Sequence, residues 1–382
     1  MWAIGLALTS DDLGHGILAG LESPLVRGDG PEALVSIRVG SRSFGVQIAH
    51  ARGRERIADF IGDNVEFPVF AYGCGRGSAL GGPDRTVDLD RPLDAVGTLF
   101  GLRTNLVHAE TWLKGLELDA LQDTTQNGRR FLNAVCETLQ GLLPGIDALE
   151  ISADGVLVRG PAVGECSLAS LSDGYLTTLG WVVDLIARWS HDMRRLGAEL
   201  SPRFNKDMVG LVLIDEIDLH LHPRWQTHII SDLRRAFPRM SFVATTHNPL
   251  TLLGAEPGEV HVMRHEDQQL RIEQVDLPAG IRTDQVLTGV WFGLPSTLDV
   301  ETRDLLETHR KMLRNGIQRS DPKRVELERT LRLRLGSYAD TSEDRLAQKT
   351  TAQYMAEERR DLTDEERSAL QSKVLDALQS SR

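Results

Sequence analysis

The sequence is short of several things whose absence narrows its chemistry. It has three cysteines in 382 residues, Cys74, Cys136 and Cys166. They lie far apart with no Cys-x-x-Cys spacing, which argues against a disulfide framework and fits free thiols in a reducing compartment. No run reaches the roughly 18 apolar residues that span a bilayer. The apolar start, MWAIGLALTSDDLG, has no basic residue ahead of its apolar stretch and runs into Asp11-Asp12, unlike a secretory signal. These features predict a cytoplasmic protein without a membrane partner. Excess positive charge is missing too: 43 Lys and Arg face 55 Asp and Glu, a net charge of −12. That balance opposes sequence-independent coating of nucleic acid by the whole surface, while leaving room for a local basic track. There is no internal repeat, and no GxxxxGK[ST] loop occurs anywhere. The glycine-rich run YGCGRGSALGG fits neither that loop nor a GxGxxG register.

What is present describes an ordinary globular chain, 41 % hydrophobic and 26 % charged, long enough for one large α/β domain with appendages. Residues 1–10 read as the end of a helix. Alternation around a Gly-Ser turn predicts a β-hairpin over 33–50, and EFPVFAYG a short buried strand. Helical spacing runs over 92–143 and stops at Gly-Leu-Leu-Pro-Gly. ALEISADGVLVRG predicts a second hairpin with its turn at 153–155. The pattern then changes to βα alternation. A long helix is entered through Ser-Asp-Gly, GLVLIDE is a strand, HPRWQTHIISDLRRAF a helix and SFVATTHNP another buried strand. VHVMRH and LRIEQVD are two more. Apolar strands separated by helices imply a parallel sheet covered on both faces. After about residue 283 the chain is helical and charged, broken at NGIQRSDPKR into a helical hairpin. From Arg303 to Arg334 ten Lys and Arg stand against five Asp and Glu, either an interleaved solvated face or a basic track.

The chemistry concentrates in LIDEIDLHLHP, residues 213–223. Four apolar residues, Leu211 to Ile214, precede Asp215-Glu216, so a buried strand would end in two acids. Its carboxyl end can hold Asp215 rigidly against Mg²⁺, a hard cation that keeps several waters and needs one carboxylate. Glu216 can polarise an attacking water. His220 and His222 lack a third histidine or cysteine nearby, so they make a poor zinc site. In TTHNP, His247 ends the next apolar strand, within reach of a γ-phosphate. SLSDGY places Ser172, Asp173 and Gly174 at a helix N-terminus, suited to an anion and to N-capping.

Together LSDGY, LIDEIDLHLHP and TTHNP resemble the ABC-type ATPase heads of the SMC/RecF/OLD branch, over roughly residues 1–300. The resemblance implies an α/β P-loop NTPase core sheet with a helical insertion over about 92–145. It implies a head over 1–283 and a helical C-terminal extension over 284–382. It implies ATP and Mg²⁺ as cofactors, with Asp215 the metal residue, Glu216 the catalytic glutamate and His247 the switch histidine. LSDGY stands at the signature, where Ser172 and Gly174 would touch ATP held by a second protomer, so the active form would be a homodimer. DLHLHP stands at the D-loop, with His222 at its usual aspartate. Arg76, in a similar AYG..R stretch, is either structural or near the nucleotide.

Because no phosphate loop is present, two expectations stand. The start at Met1 lies just downstream of such a loop, or the chain has lost it and binds nucleotide weakly or not at all. The functional expectation is an ATPase head that dimerises on ATP and controls a nucleic-acid-processing partner, in DNA repair or antiviral defence. The alternative is a catalytically impaired scaffold. Stand-alone heads of this kind are similar to the ATPase subunits of anti-phage systems of the Septu type. With no acidic TOPRIM-like set and no HNH motif in this chain, a nuclease would be a separate subunit. Helices within 303–334 are the candidate nucleic-acid contact.

Overall fold

The structure is a computed structural model. It describes residues 32–335 except 40, 52–53, 63–66, 77–86, 88, 91–94, 103–105, 153, 267–268 and 319. The helix expected at residues 1–10 and the chain after 335 lie outside the described residues. The chain divides into two units, residues 1–293 and 294–382.

In the first unit, β1 (Glu32–Val39), β2 (Arg42–Ala51) and β3 (Arg54–Gly62) form an antiparallel sheet in the order β1-β2-β3. The alternation in β2 buries Phe44, Val46 and Ile48 on one face, as the period of two demands. The expected hairpin is there, and a third strand joins it. After β4 (Val69–Tyr72) come a 3₁₀ turn at Gly97–Phe100 and the helices α1 (Ala109–Gln122) and α2 (Asn127–Leu142). Next, β5 (Ala148–Ile151), β6 (Val156–Gly160) and β7 (Gly164–Ser167) form a second antiparallel sheet. Its first two strands are the predicted hairpin, closed by the Ser152 amide donating to Gly155 O at 2.9 Å.

The long helix α3 (Asp173–Arg195) is buried from Leu176 to Ser190. It is followed by α4 (Phe204–Asp207), β8 (Gly210–Ile214), α5 (Pro223–Gln226), α6 (Ile229–Ala236), β9 (Met240–Ala244) and α7 (Pro249–Leu252). Strand β8 pairs in parallel with β4 on one side and β9 on the other. The sheet order β4-β8-β9 puts the apolar run LVLI at the centre, where an unbroken apolar strand belongs. Its Val212, Leu213 and Ile214 are fully buried. Covering on both faces does not extend to β9, whose Ser241, Val243 and Ala244 are exposed. The last two strands, β10 (His261–Glu266) and β11 (Gln269–Gln274), make a separate antiparallel hairpin rather than continuing the parallel sheet. The single helix expected after Pro223 breaks into α5 and α6. There the Thr227 hydroxyl donates to Arg224 O at 2.8 Å, a side-chain bond that competes with the helical pattern. The unit ends with α8 (Thr283–Thr288).

Helix α3 forms the centre of the core. Trp181 stacks at a tilt on Tyr72 of β4, with ring centroids 5.7 Å apart, and Trp189 meets Phe204 at 6.3 Å. Phe204 in turn meets Phe131 of α2 at 5.2 Å. Each such apolar side chain contributes roughly 1.5–3 kcal/mol by leaving water. One charged cluster is buried among them. Asp184 accepts from Tyr72 Oη at 3.0 Å, Arg188 Nε at 2.8 Å and the Val107 amide at 2.9 Å. A buried carboxylate supplied with donors in this way tolerates the interior. Burial and the adjoining Asp184 charge push the Tyr72 hydroxyl well above its ordinary pKa.

The second unit contains α9 (Val300–Arg314) and α10 (Pro322–Leu335), a helical hairpin joined at the predicted break. Its basic residues are largely engaged. Arg303, Lys311, Arg324, Arg329, Arg332 and Arg334 each pair with a carboxylate within the hairpin or just before it.

Candidate functional site

The carboxyl end of β8 runs straight into Asp215 and Glu216. The Asp215 amide donates to Tyr72 O at 2.8 Å, and the Thr245 amide donates to Ile214 O at 2.9 Å. The parallel ladder therefore carries its register to the point where the acids begin. Glu216 then turns the chain out of the sheet with φ of +50°, and His220 does the same with φ of +63°. Left-handed backbone at residues other than glycine costs on the order of 1 kcal/mol each, so the turn needs fixed partners. Ile217 and Leu221 supply apolar anchors at 4 % and 5 % exposure. Leu219 N donates to Glu216 O at 3.1 Å, and Leu221 N to Asp218 O at 3.0 Å.

Asp215 is held on both carboxylate oxygens. Thr245 Oγ1 donates to Oδ1 at 2.5 Å, and Cys74 Sγ donates to Oδ2 at 3.2 Å. The same Thr245 hydroxyl accepts the Glu216 amide at 2.9 Å, while Ile217 N donates to Thr245 O at 3.0 Å. Beside it, Thr246 Oγ1 donates to Asp218 Oδ1 at 2.5 Å. Beneath the turn lies Arg76, 3 % exposed. It donates to Gly73 O at 3.0 Å, Asp215 O at 2.7 Å and Glu216 O at 2.8 Å. Burial lowers the Arg76 pKa, and the neighbouring acids work against that shift. Partial burial first, then the hydrogen bond to Asp215, pushes the Cys74 thiol up to about 11.

The other motif residues lie around this turn. His247 is exposed in the connection from β9 to α7, two residues past Thr245. Ser172 occupies the N-cap position of α3, but its side chain makes no cap hydrogen bond. Ser172 and Asp173 are exposed, and Gly174 is buried. A Cβ on Gly174 would stand 2.5 Å from His220 O. The start of α3 therefore packs on the 216–222 turn of its own chain, and this close approach alone requires glycine. His222 is exposed and caps α5 through Nδ1, which accepts the Arg224 amide at 3.2 Å.

The donor set fits a divalent cation of the Mg²⁺ kind: one partly exposed carboxylate, oriented by a hydroxyl, at the end of a buried strand. The phosphate-cradling amides of a GxxxxGK[ST] loop have no candidate in the 382 residues. Cys74, Thr245 and Thr246 escaped the sequence reading. The doubled threonine before His247 was the one available signal. Of the two roles open to Arg76 from its AYG..R stretch, its bonds show the structural one, all three going to main-chain carbonyls.

Comparison with known proteins agrees with these motifs. Residues 110–253, spanning α1 to α7, match the family described as AAA domain, putative AbiEii toxin, Type IV TA system. The chain is 32 % identical over 264 residues to Septu protein PtuA of Bacillus mycoides (strain KBAB4), covering 67 % of this chain and 34 % of that protein. It is 32 % identical over 142 residues to the Retron Vc95 probable ATPase of Vibrio cholerae serotype O1 biovar El Tor, covering 36 % and 26 %. The matched part thus spans about a third of these relatives' length or less. A solved SMC head domain from Thermotoga maritima aligns with 68 % of this chain and 79 % of its own at 12 % identity, with a TM-score of 0.31, too low to bear on the fold. The parallel β4-β8-β9 sheet, the acids at its carboxyl end and the sequence match together place an AAA-family ATPase domain in this chain, homologous to the Septu PtuA and retron ATPases.

Proposed function

We propose that this chain is an ATP-hydrolysing head that acts with Mg²⁺, dimerises around ATP and controls a nucleic-acid-processing partner in defence. The observation that carries the reading is Asp215 and Glu216 at the end of the central strand, fixed by Thr245 and Arg76. Asp215 would hold the cation, which when bound neutralises charge on the phosphates. Glu216 would orient and polarise the attacking water. The exposed His247 is suited to follow the γ-phosphate.

Ser172, Asp173 and His222 are exposed on the two segments that meet at Gly174 and His220. In a dimer this surface would face the nucleotide of the other protomer, and the Ser172 hydroxyl is not spent on capping. The partner would be a separate nuclease subunit. The likeness to a Septu protein PtuA and to a Retron Vc95 probable ATPase supports that direction. Helices α9 and α10 are the candidate nucleic-acid contact, although most of their cations are already paired.

The second reading is a scaffold or regulatory subunit, favoured by the lack of a GxxxxGK[ST] loop. Calorimetry with ATP and Mg²⁺ separates the two. The ATPase reading expects saturable binding that weakens in Asp215→Ala, whereas no heat of binding supports the scaffold. For nucleic acid, a gel shift with duplex DNA is the test. If α9 and α10 make the contact, replacing Arg310, Arg314 and Lys323 by Glu abolishes the shift and flattens the salt dependence.

A further inference from the structure

We propose that Arg76 is the positioning residue of the acidic turn, gripping the main chain of Asp215 and Glu216 so that both carboxylates are presented together. Its consequence for turnover rests on the ATPase reading above; its geometry does not. In an extended strand successive carbonyls point to opposite sides. Here the carbonyls of Asp215 and Glu216 both meet one guanidinium, at 2.7 and 2.8 Å. The left-handed φ of +50° at Glu216 accompanies that convergence. On the amide side Thr245 Oγ1 takes Glu216 N at 2.9 Å and reaches the Asp215 carboxylate at 2.5 Å. The peptide between the two acids is therefore held from both sides.

The base of Arg76 is itself fixed. Its amide donates to Gly73 O at 3.1 Å, closing the 73–76 turn. Gly73 N donates to Thr98 Oγ1 at 3.3 Å, and a Cβ on Gly73 would stand 2.2 Å from Thr98 O. The same turn carries Cys74 to the second oxygen of Asp215. A planar fork can bridge two carbonyls that a lysine ammonium would meet as a point charge. That difference separates Arg76 from a cation needed for charge alone.

The test compares Arg76→Lys with wild type by thermal unfolding, by Mn²⁺ titration followed by electron paramagnetic resonance, and by ATP turnover. The expected variant is folded and binds Mn²⁺ roughly tenfold more weakly. Its turnover falls on the order of 10²-fold, with KM for ATP changed less than twofold. Mn²⁺ affinity and turnover within twofold of wild type overturn the proposal. If Arg76→Lys does not fold, Arg76→Gln takes its place, and failure of both to fold overturns the positioning role in favour of a purely structural one. Wild type set against Glu216→Gln is the control for the underlying reading. Equal turnover in those two sinks the ATPase assignment, and the Mn²⁺ titration still decides the role of Arg76.

Discussion

At the scale of single residues, the site depends on groups that hold other groups. Asp215 and Glu216 were legible because four apolar residues followed by two acids make a local pattern. The hydrogen bonds of Thr245, and the main-chain grip of Arg76 that its AYG..R stretch leaves open, were not, because the partners lie 30 and 139 residues away. No periodicity encodes such a bond. Cys74 illustrates the point: its thiol is exposed but lies 3.2 Å from a carboxylate and is pushed up to about 11. At pH 8 it should therefore alkylate on the order of a hundredfold more slowly than an ordinary exposed thiol, since the thiolate is the reactive form. Mass spectrometry of iodoacetamide-treated protein reads this directly, and Asp215→Asn should speed the reaction. Equal rates for Cys74 and a free thiol would contradict the contact. In the core, Asp184→Ala removes the buried carboxylate that Arg188 Nε, Tyr72 Oη and the Val107 amide all meet within 3.0 Å. The expected loss is about 3–5 kcal/mol, measurable as a shift in the denaturation midpoint.

At the scale of elements, strong periodicity was read well and weak periodicity was not. The long helix α3, the apolar strand β8 and the two hairpins follow from spacing alone. Strand β3 escaped because RERIADFIG alternates poorly, and β7 because its four residues, GECS, are short and polar. The outward exposure of β9 is a tertiary fact that its apolar sequence does not disclose. The contact between α3 and the acidic turn gives a sharp expectation. Gly174→Ala places a methyl 2.5 Å from His220 O, so the variant should lose about 1–3 kcal/mol, typical of overpacking. A melting temperature equal to wild type would mean that the two segments do not touch. In the α9–α10 hairpin, hydrogen bonds from Arg324 and then His309 hold the Glu328 carboxyl down to about 2. A carboxylate lowered in the folded state stabilises above its unfolded pKa, near 4.5, and that contribution disappears as pH falls toward 2. Carbon-detected titration should find the Glu328 midpoint near 2 and see it rise in Arg324→Gln.

At the scale of the whole molecule, the site has one half well built. The proposed metal and water side is fixed by the hydrogen bonds around Asp215 and Glu216, while the phosphate side has no GxxxxGK[ST] candidate among the 382 residues. The sequence disclosed that imbalance as clearly as the structure does, since a missing motif needs no coordinates. What it could not disclose is that the start of α3 is packed on the acidic turn, which makes the proposed dimer surface and the proposed hydrolytic residues neighbours in one unit. The measurement that bears most directly on the account is Mg²⁺-dependent ATP turnover by the purified protein, set against Glu216→Gln. The Glu216→Gln variant should retain ATP and lose turnover by about 10²–10⁴-fold, the usual worth of a positioned general base. Identical turnover in the two proteins would contradict it.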